Sequence, residues 1–192
     1  MLRGLTEKYQ IILASTSPRR KELLQEIIPI FKVESKEVEE IYPNNLQGSE
    51  IALYLSQLKS KPFQPNEKEL IITADTIVIL DSLILGKPKN PEEAIHMLTL
   101  LSGKKHEIIT GVTIRTEDKE LSFYDSTKVE FYELTPQEID YYVKNYKPFD
   151  KAGAYGIQEW IGYVGIKKME GDFYNVMGLP IHRLYRELNQ FI

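Results

Sequence analysis

The stretch from Leu70 to Leu80, LIITADTIVIL, narrows the folds open to this chain more than any other segment. Its aliphatic and β-branched residues read as one long buried strand, or as two strands meeting at its polar middle. Asp75 sits in that middle. A carboxylate in apolar surroundings must be paired and hydrogen-bonded, or lie at a strand end facing a cleft. Two readings therefore stay open. Asp75-Thr76 is a polar turn between two strands, or Asp75 is a metal-binding or water-activating carboxylate held on a rigid strand.

Strand and helix signals alternate on both sides of this run. A strand is expected over residues 9–14, then a helix from about Pro18 to Ile28, with Ser17 as cap and Pro18 in first position. Phe31–Val33 reads as a short strand. A helix opens after Ser49 with Ile51, Leu55 and Leu58 on one stripe, closed by Pro62 and Pro65. DSLILGKP turns back as a hairpin, and Asn90-Pro91-Glu92-Glu93 starts a helix that runs to Gly103. His106–Arg115 and Leu121–Leu134 read as long antiparallel neighbours, and Thr135-Pro136-Gln137-Glu138 opens a further helix. The small-residue loop KPFDKAGAYGIQEW, a hairpin at Glu170-Gly171 and a helix from Pro180 complete the chain. The expectation is an α/β fold, a mixed sheet flanked by helices, as one domain over residues 1–192.

Composition removes several function classes. The net charge of -4 gives no support to a nucleic-acid binder, which should be basic overall or along one face. No apolar run approaches the roughly 20 residues of a membrane span, and nothing near the start resembles a signal peptide. The chain has no cysteine, which excludes disulfides, thiolate zinc sites and a cysteine nucleophile. A cytoplasmic enzyme or binding protein is expected, without nucleic-acid or membrane partners.

Other residues break local rules. Arg19 and Arg20 fall in the first turn of a helix, where free N–H groups and the dipole are already positive; each exposed charge costs roughly 0.3–1 kcal/mol there. They are either solvated surface residues or part of an anion site built from Ser15, Thr16, Ser17, backbone N–H groups and guanidinium forks. Glu40, ending EVEE, is a solvated charge or a second carboxylate of the site. Lys59 lies at the edge of an apolar stripe, where snorkelling by itself explains it. Lys87 stands on a Gly-Lys-Pro turn and reads alone as an ordinary turn lysine. Gly153 and Gly156 allow close backbone approach to a ligand, or simply a tight connection. His96, His106 and His182 show no metal-ligand spacing. Walker, nucleophile-elbow and zinc-protease patterns are absent from the sequence.

The segments ILASTSPRRKELL, EVEE, LSQLKSKP, ADTIVIL, LGKPKNPEEAIHML, LSGKKHEIITGV, DKAGAYGIQ and GDFYNVMGLPIHRL occur in this order over nearly the whole chain. Together they resemble the Maf family of nucleoside triphosphate pyrophosphatases. The resemblance implies a mixed α/β fold related to the inosine triphosphate pyrophosphatases, with two lobes around a cleft. It implies hydrolysis between the α- and β-phosphates of a nucleoside triphosphate substrate, with a divalent cation, magnesium first and manganese or cobalt as alternatives. Asp75 becomes the catalytic base, Glu40 helps Asp75 hold the metal, and Ser15, Arg20, Lys59 and Lys87 line the triphosphate site. A homodimer is suggested too.

Within that resemblance, Arg19, Thr76 and Gln158 match the branch similar to dTTP and UTP pyrophosphatases rather than the 7-methyl-GTP branch. Gln158 offers a donor and an acceptor that suit the O4 and N3–H edge of thymine or uracil. Glu159 and Trp160 depart from the family where many relatives have glycine. Two other readings remain: a pyrophosphatase for another nucleotide, and a nucleotide-binding regulator of cell division without turnover.

Overall fold

The computed structural model describes residues 2–192. In chain order the elements are α1 (Arg3–Lys8), β1 (Gln10–Leu13), α2 (Pro18–Gln25), β2 (Lys32–Val33), α3 (Ser49–Ser60), β3 (Glu69–Leu80), β4 (Leu83–Leu85), α4 (Pro91–Leu101), β5 (Lys105–Arg115), β6 (Glu120–Phe131), α5 (Pro136–Tyr146), α6 (Trp160–Gly165), β7 (Ile166–Glu170), α7 (Phe173–Met177) and α8 (Ile181–Leu188). The helix starts follow their caps. The Ser17 hydroxyl accepts from the Arg20 N–H, Asn90 from the Glu93 N–H, and Thr135 with Glu138 forms a full capping box.

Among the described residues seven strands make one mixed sheet in the order β2-β1-β3-β5-β6-β7, with β4 on β3. β1 runs parallel to both β2 and β3, Leu13 pairing with Val33 on one side and Ile72 on the other. β4 is antiparallel to β3 through a tight turn in which Asp81 takes a positive φ of 55°, a conformation that aspartate tolerates better than most residues. No helix among the described residues is long and apolar enough to cross a membrane.

The chain divides into two compact units. The first takes residues up to Asp75, then Thr110–Asp125 and Gly178–Ile192; the second takes Thr76–Ile109 and Ser126–Met177. In the first, Ile12, Ala14, Phe63 and Ile71 form a buried cluster under β1 and β3. In the second, α4 and α5 cover the sheet with Leu98, Leu101, Ile139 and Val143 against Val78, Val129 and Phe131.

The structure departs from expectation in several places, beginning with α1, which the sequence reading did not include. The run from Leu70 to Leu80 is a single strand, so the turn reading of Asp75-Thr76 is set aside; Asp75 is buried within regular extended backbone. No hairpin forms at Glu170-Gly171. β7 pairs antiparallel with β6, and Gly171 (φ 134°) then leads into a helix whose first N–H groups, from Tyr174 and Asn175, donate to the Asp172 carboxylate. That side chain stops the chain from folding back. Finally, α6 forms in a glycine-containing stretch of low helical propensity, because its Gly162 lets the helix lie against the Ile157 carbonyl, where a Cβ would sit 1.9 Å from the oxygen.

His106 is buried in the second unit, edge-on to the Phe131 and Tyr155 rings, with Nε2 2.7 Å from the Tyr155 hydroxyl. Burial lowers its pKa to about 4. The folded state therefore resists protonation that the unfolded chain accepts below about pH 6.5. Stability from this group is complete above that pH and is lost as pH falls toward 4, by about 3 kcal/mol in all. Urea unfolding of His106→Gln against the native protein should show a smaller loss between these pH values; equal losses would mean that another group carries the dependence.

Candidate active site

The strand order β2-β1-β3 has β1 connecting to one side and β3 added on the other. In parallel sheets such a reversal opens a crevice beyond the carboxyl ends of the strands, the usual place for a ligand. Residues just after β1 and in the second half of β3 lie at this end.

After β1 the chain runs through Ala14, whose N–H donates to the Ile72 carbonyl at 2.8 Å, and then Ser15. The Ser15 hydroxyl is a local hub. It accepts from the Ser17 N–H at 3.3 Å and from Arg20 Nη1 at 3.3 Å. Arg20 Nε donates to the Gly178 carbonyl at 2.8 Å, so the guanidinium is fixed from two directions. Burial lowers the Arg20 pKa most, Asp75 opposes that shift, and Arg19 adds to it. The positive charge is thus held, partly desolvated, at the start of α2, where no acidic residue offsets it in the first turn. Such an assembly attracts an anion.

Asp75 and Lys59 come from β3 and the last turn of α3. Two rungs connect these elements. The buried Thr73 hydroxyl donates to the Ser56 carbonyl at 2.7 Å, and one step along each element the Lys59 ammonium donates to Asp75 Oδ1. Two residues on a strand and three on a helix advance along the same face, so the first rung sets the second. The Ser56 hydroxyl also meets Thr113 Oγ1 at 2.9 Å, and Thr113 meets Ser122 Oγ at 3.0 Å. Gly111 lies directly beneath α3: a Cβ there would stand 2.2 Å from the Ala52 carbonyl oxygen. The helix rests on the sheet backbone and delivers Lys59 to Asp75.

Lys59 Nζ also lies 2.9 Å from Glu40 Oε1, so one ammonium bridges both carboxylates. Glu40 comes from the irregular segment between β2 and α3, which Lys36 ties to the Pro62 carbonyl at 2.8 Å. Burial raises the Asp75 pKa, with Glu40 adding to the rise, while Lys59 and Arg20 draw it down. Two carboxylate oxygens around a cationic nitrogen form an all-oxygen donor set suited to a hard divalent cation.

The structure therefore brings Ser15 to Arg20, and Lys59 to Asp75 and Glu40, within the first unit. Arg19 is half-buried beside Arg20. Thr76, Lys87 and Gln158 belong to the second unit. Thr76 is half-buried on β3; Lys87 is exposed after β4; Gln158 is exposed in a turn before α6. The Gly86 carbonyl accepts from the Gly153 N–H at 3.0 Å, tying the Lys87 segment to the DKAGAYGIQ loop. Sequence reasoning missed Thr73, Ser56 and Gly111. Small polar residues on otherwise apolar elements, Ser56 on α3 with Thr73 and Thr113 on the strands, were the available signal.

A family model described as Maf-like protein matches residues 10–191. The chain is 51% identical over 193 residues to a dTTP/UTP pyrophosphatase of Phocaeicola vulgatus, covering 99% of this chain and 100% of that protein. It is 56% identical to one of Cytophaga hutchinsonii over 181 residues, covering 94% and 83%. Among solved structures, a HAM1 protein from Coxiella burnetii superposes with a TM-score of 0.51 at 14% identity, covering 95% of this chain and 99% of that one. That likeness concerns the fold alone.

Since Gly111 carries the approach of α3, Gly111→Ala should push the helix off the sheet. The expected result is a loss of about 1–3 kcal/mol in denaturant unfolding, as for overpacked interiors, together with reduced turnover in the fraction that remains folded. Native stability in this variant would show that α3 does not depend on the contact.

Proposed function

The chain belongs to the Maf family, and from that premise we propose that it is a nucleoside triphosphate pyrophosphatase that hydrolyses dTTP and UTP to the monophosphate and pyrophosphate. Relatives at about half identity, matched over nearly their full length, carry that name. The observation that carries the proposal onto this chain's residues is the Lys59 ammonium bridging Glu40 and Asp75, with Arg20 fixed nearby in charge. A triphosphate presents roughly four negative charges, and its hydrolysis depends on positioning and charge stabilisation.

In this reading Arg20 and Lys59 hold phosphate oxygens, with Ser15 orienting the Arg20 guanidinium through its hydrogen bond. Asp75 and Glu40 hold the divalent cation, which supplies polarisation of the phosphoryl oxygens when bound. Asp75 accepts the proton of the water that attacks the α-phosphorus; the bond to the β-phosphate bridging oxygen breaks and pyrophosphate leaves. Burial that raises the Asp75 pKa suits a carboxylate to that proton. The family resemblance assigns Lys87 to the triphosphate and Arg19, Thr76 and Gln158 to nucleotide choice. It also supports magnesium as the cation, a cytoplasmic location and a homodimer.

Pyrophosphate release from a panel of nucleoside triphosphates, with and without Mg²⁺, tests the activity. dTTP and UTP should lead; a preference for 7-methyl-GTP, or no turnover, would overturn the assignment. Asp75→Asn should keep nucleotide binding and lose at least about a hundredfold in kcat, the usual scale for a general base. A native rate would remove Asp75 from that role. Arg20→Ala should raise KM for the triphosphate, and unchanged kinetics would take it out of the phosphate site.

A further inference from the structure

The turn that carries Gln158 is built around Glu159, Tyr142 and Lys151. The Glu159 N–H donates to the Gly156 carbonyl at 3.0 Å, closing a four-residue turn with Ile157 and Gln158 at its centre. Both ends of the turn reach one hydroxyl. The Gly156 N–H donates to the buried Tyr142 oxygen at 3.0 Å, and that hydroxyl donates to the Glu159 carboxylate. The other Glu159 oxygen is 3.0 Å from Lys151 Nζ, and Lys151, with its side chain 9% exposed, also pairs with Asp150 at 2.7 Å. A Cβ on Gly156 would stand 2.9 Å from Glu159 Cδ and 3.0 Å from Lys151 Cε, so the pair packs directly against the loop backbone. Next to it, Trp160 meets the Tyr141 ring edge-on with centroids 4.9 Å apart. Glu159 and Trp160 thus attach the turn to two successive tyrosines of α5.

Glu159 occupies the N-cap position of α6 without capping it, its side chain being committed to Tyr142 and Lys151. Ion pairs held partly out of water contribute little net stability compared with apolar replacements, and their attested use is to fix one arrangement over others. What this one fixes is the backbone on each side of Gln158, the single exposed residue of the turn.

We infer that Glu159, held by Lys151 and Tyr142, is a positioning residue that sets nucleotide selectivity by fixing the turn from which Gln158 acts. The inference rests on the reading of Gln158 as the residue that meets the base. A pyrimidine carrying O4 and N3–H matches an amide that donates and accepts in fixed order, whereas cytosine reverses that order. A turn free to shift would lose the discrimination while leaving the phosphate chemistry to other residues.

The measurement is the ratio of kcat/KM for dTTP to that for dCTP, taken on one preparation so that the folded fraction cancels. Gln158→Ala should lower the ratio at least about tenfold, one lost hydrogen bond. Glu159→Ala and Tyr142→Phe should each lower it at least threefold, mainly through KM for dTTP. The double variant Gln158→Ala/Glu159→Ala should fall no further than Gln158→Ala alone, because Glu159 acts through Gln158. If Gln158→Ala lowers the ratio while either Glu159→Ala or Tyr142→Phe keeps the native value, the positioning role is wrong and the base contact stands. Independent, multiplying losses in the double variant would also overturn it. If Gln158→Ala itself keeps the native ratio, the base-contact reading falls and this inference with it.

Discussion

The ammonium of Lys59, shared between Glu40 and Asp75, is the interaction around which the first unit is arranged. Asp75 is 5% exposed within a strand of aliphatic residues, and a carboxylate there needs a partner. Removing one member of such a buried pair typically costs roughly 3–5 kcal/mol, since the other is left charged and unpaired. The bridge also gathers three separate parts of the chain: a long strand, the last turn of a helix and an irregular segment. Everything that places α3 against the sheet serves to keep that bridge in register.

The supports are mostly hydroxyls. Ser56, Thr73, Thr113 and Ser122 form a connected set between helix and sheet. A connected, satisfied polar network specifies one arrangement more sharply than an apolar contact that can slide. Ser15 does the same for Arg20 just after β1. The positive charges at the start of α2 oppose the helix dipole, and the fold accepts that conflict by fixing Arg20 to Ser15 and Gly178. A ligand bearing several negative charges turns the conflict into attraction. The second unit applies the same logic at the loop before α6, where one tyrosine hydroxyl accepts from one end of a turn and donates to the other.

Much of this was legible in the residues. Caps at Ser17, Asn90 and Thr135 marked helix starts because a side-chain oxygen must satisfy free N–H groups locally. The aliphatic run at Leu70–Leu80 marked a central strand, and its lone carboxylate marked a place of chemistry. The misses have physical reasons of the same kind. Gly171 looked like a hairpin turn, but the Asp172 carboxylate collects two N–H groups and starts a helix. α6 was invisible because its glycines lower local propensity, and the close approach of Gly162 to Ile157 explains one of them. Glu159 appeared as an oddity after Gln158; its partner Tyr142 lies a helix away in sequence.

The sequence by itself determined the alternation of strands and helices, the class of fold, the family resemblance and the short set of residues able to handle a polyphosphate. Those properties are local or patterned, written in spacing, caps and residue type. Tertiary structure alone decided the partners. It placed Lys59 between two carboxylates, tied Arg20 to Ser15 and Gly178, and bound Glu159 to Tyr142 and Lys151. Pairings between distant segments depend on how helices seat on the sheet, and that seating is fixed by close contacts such as Gly111 beneath α3, which no local pattern encodes.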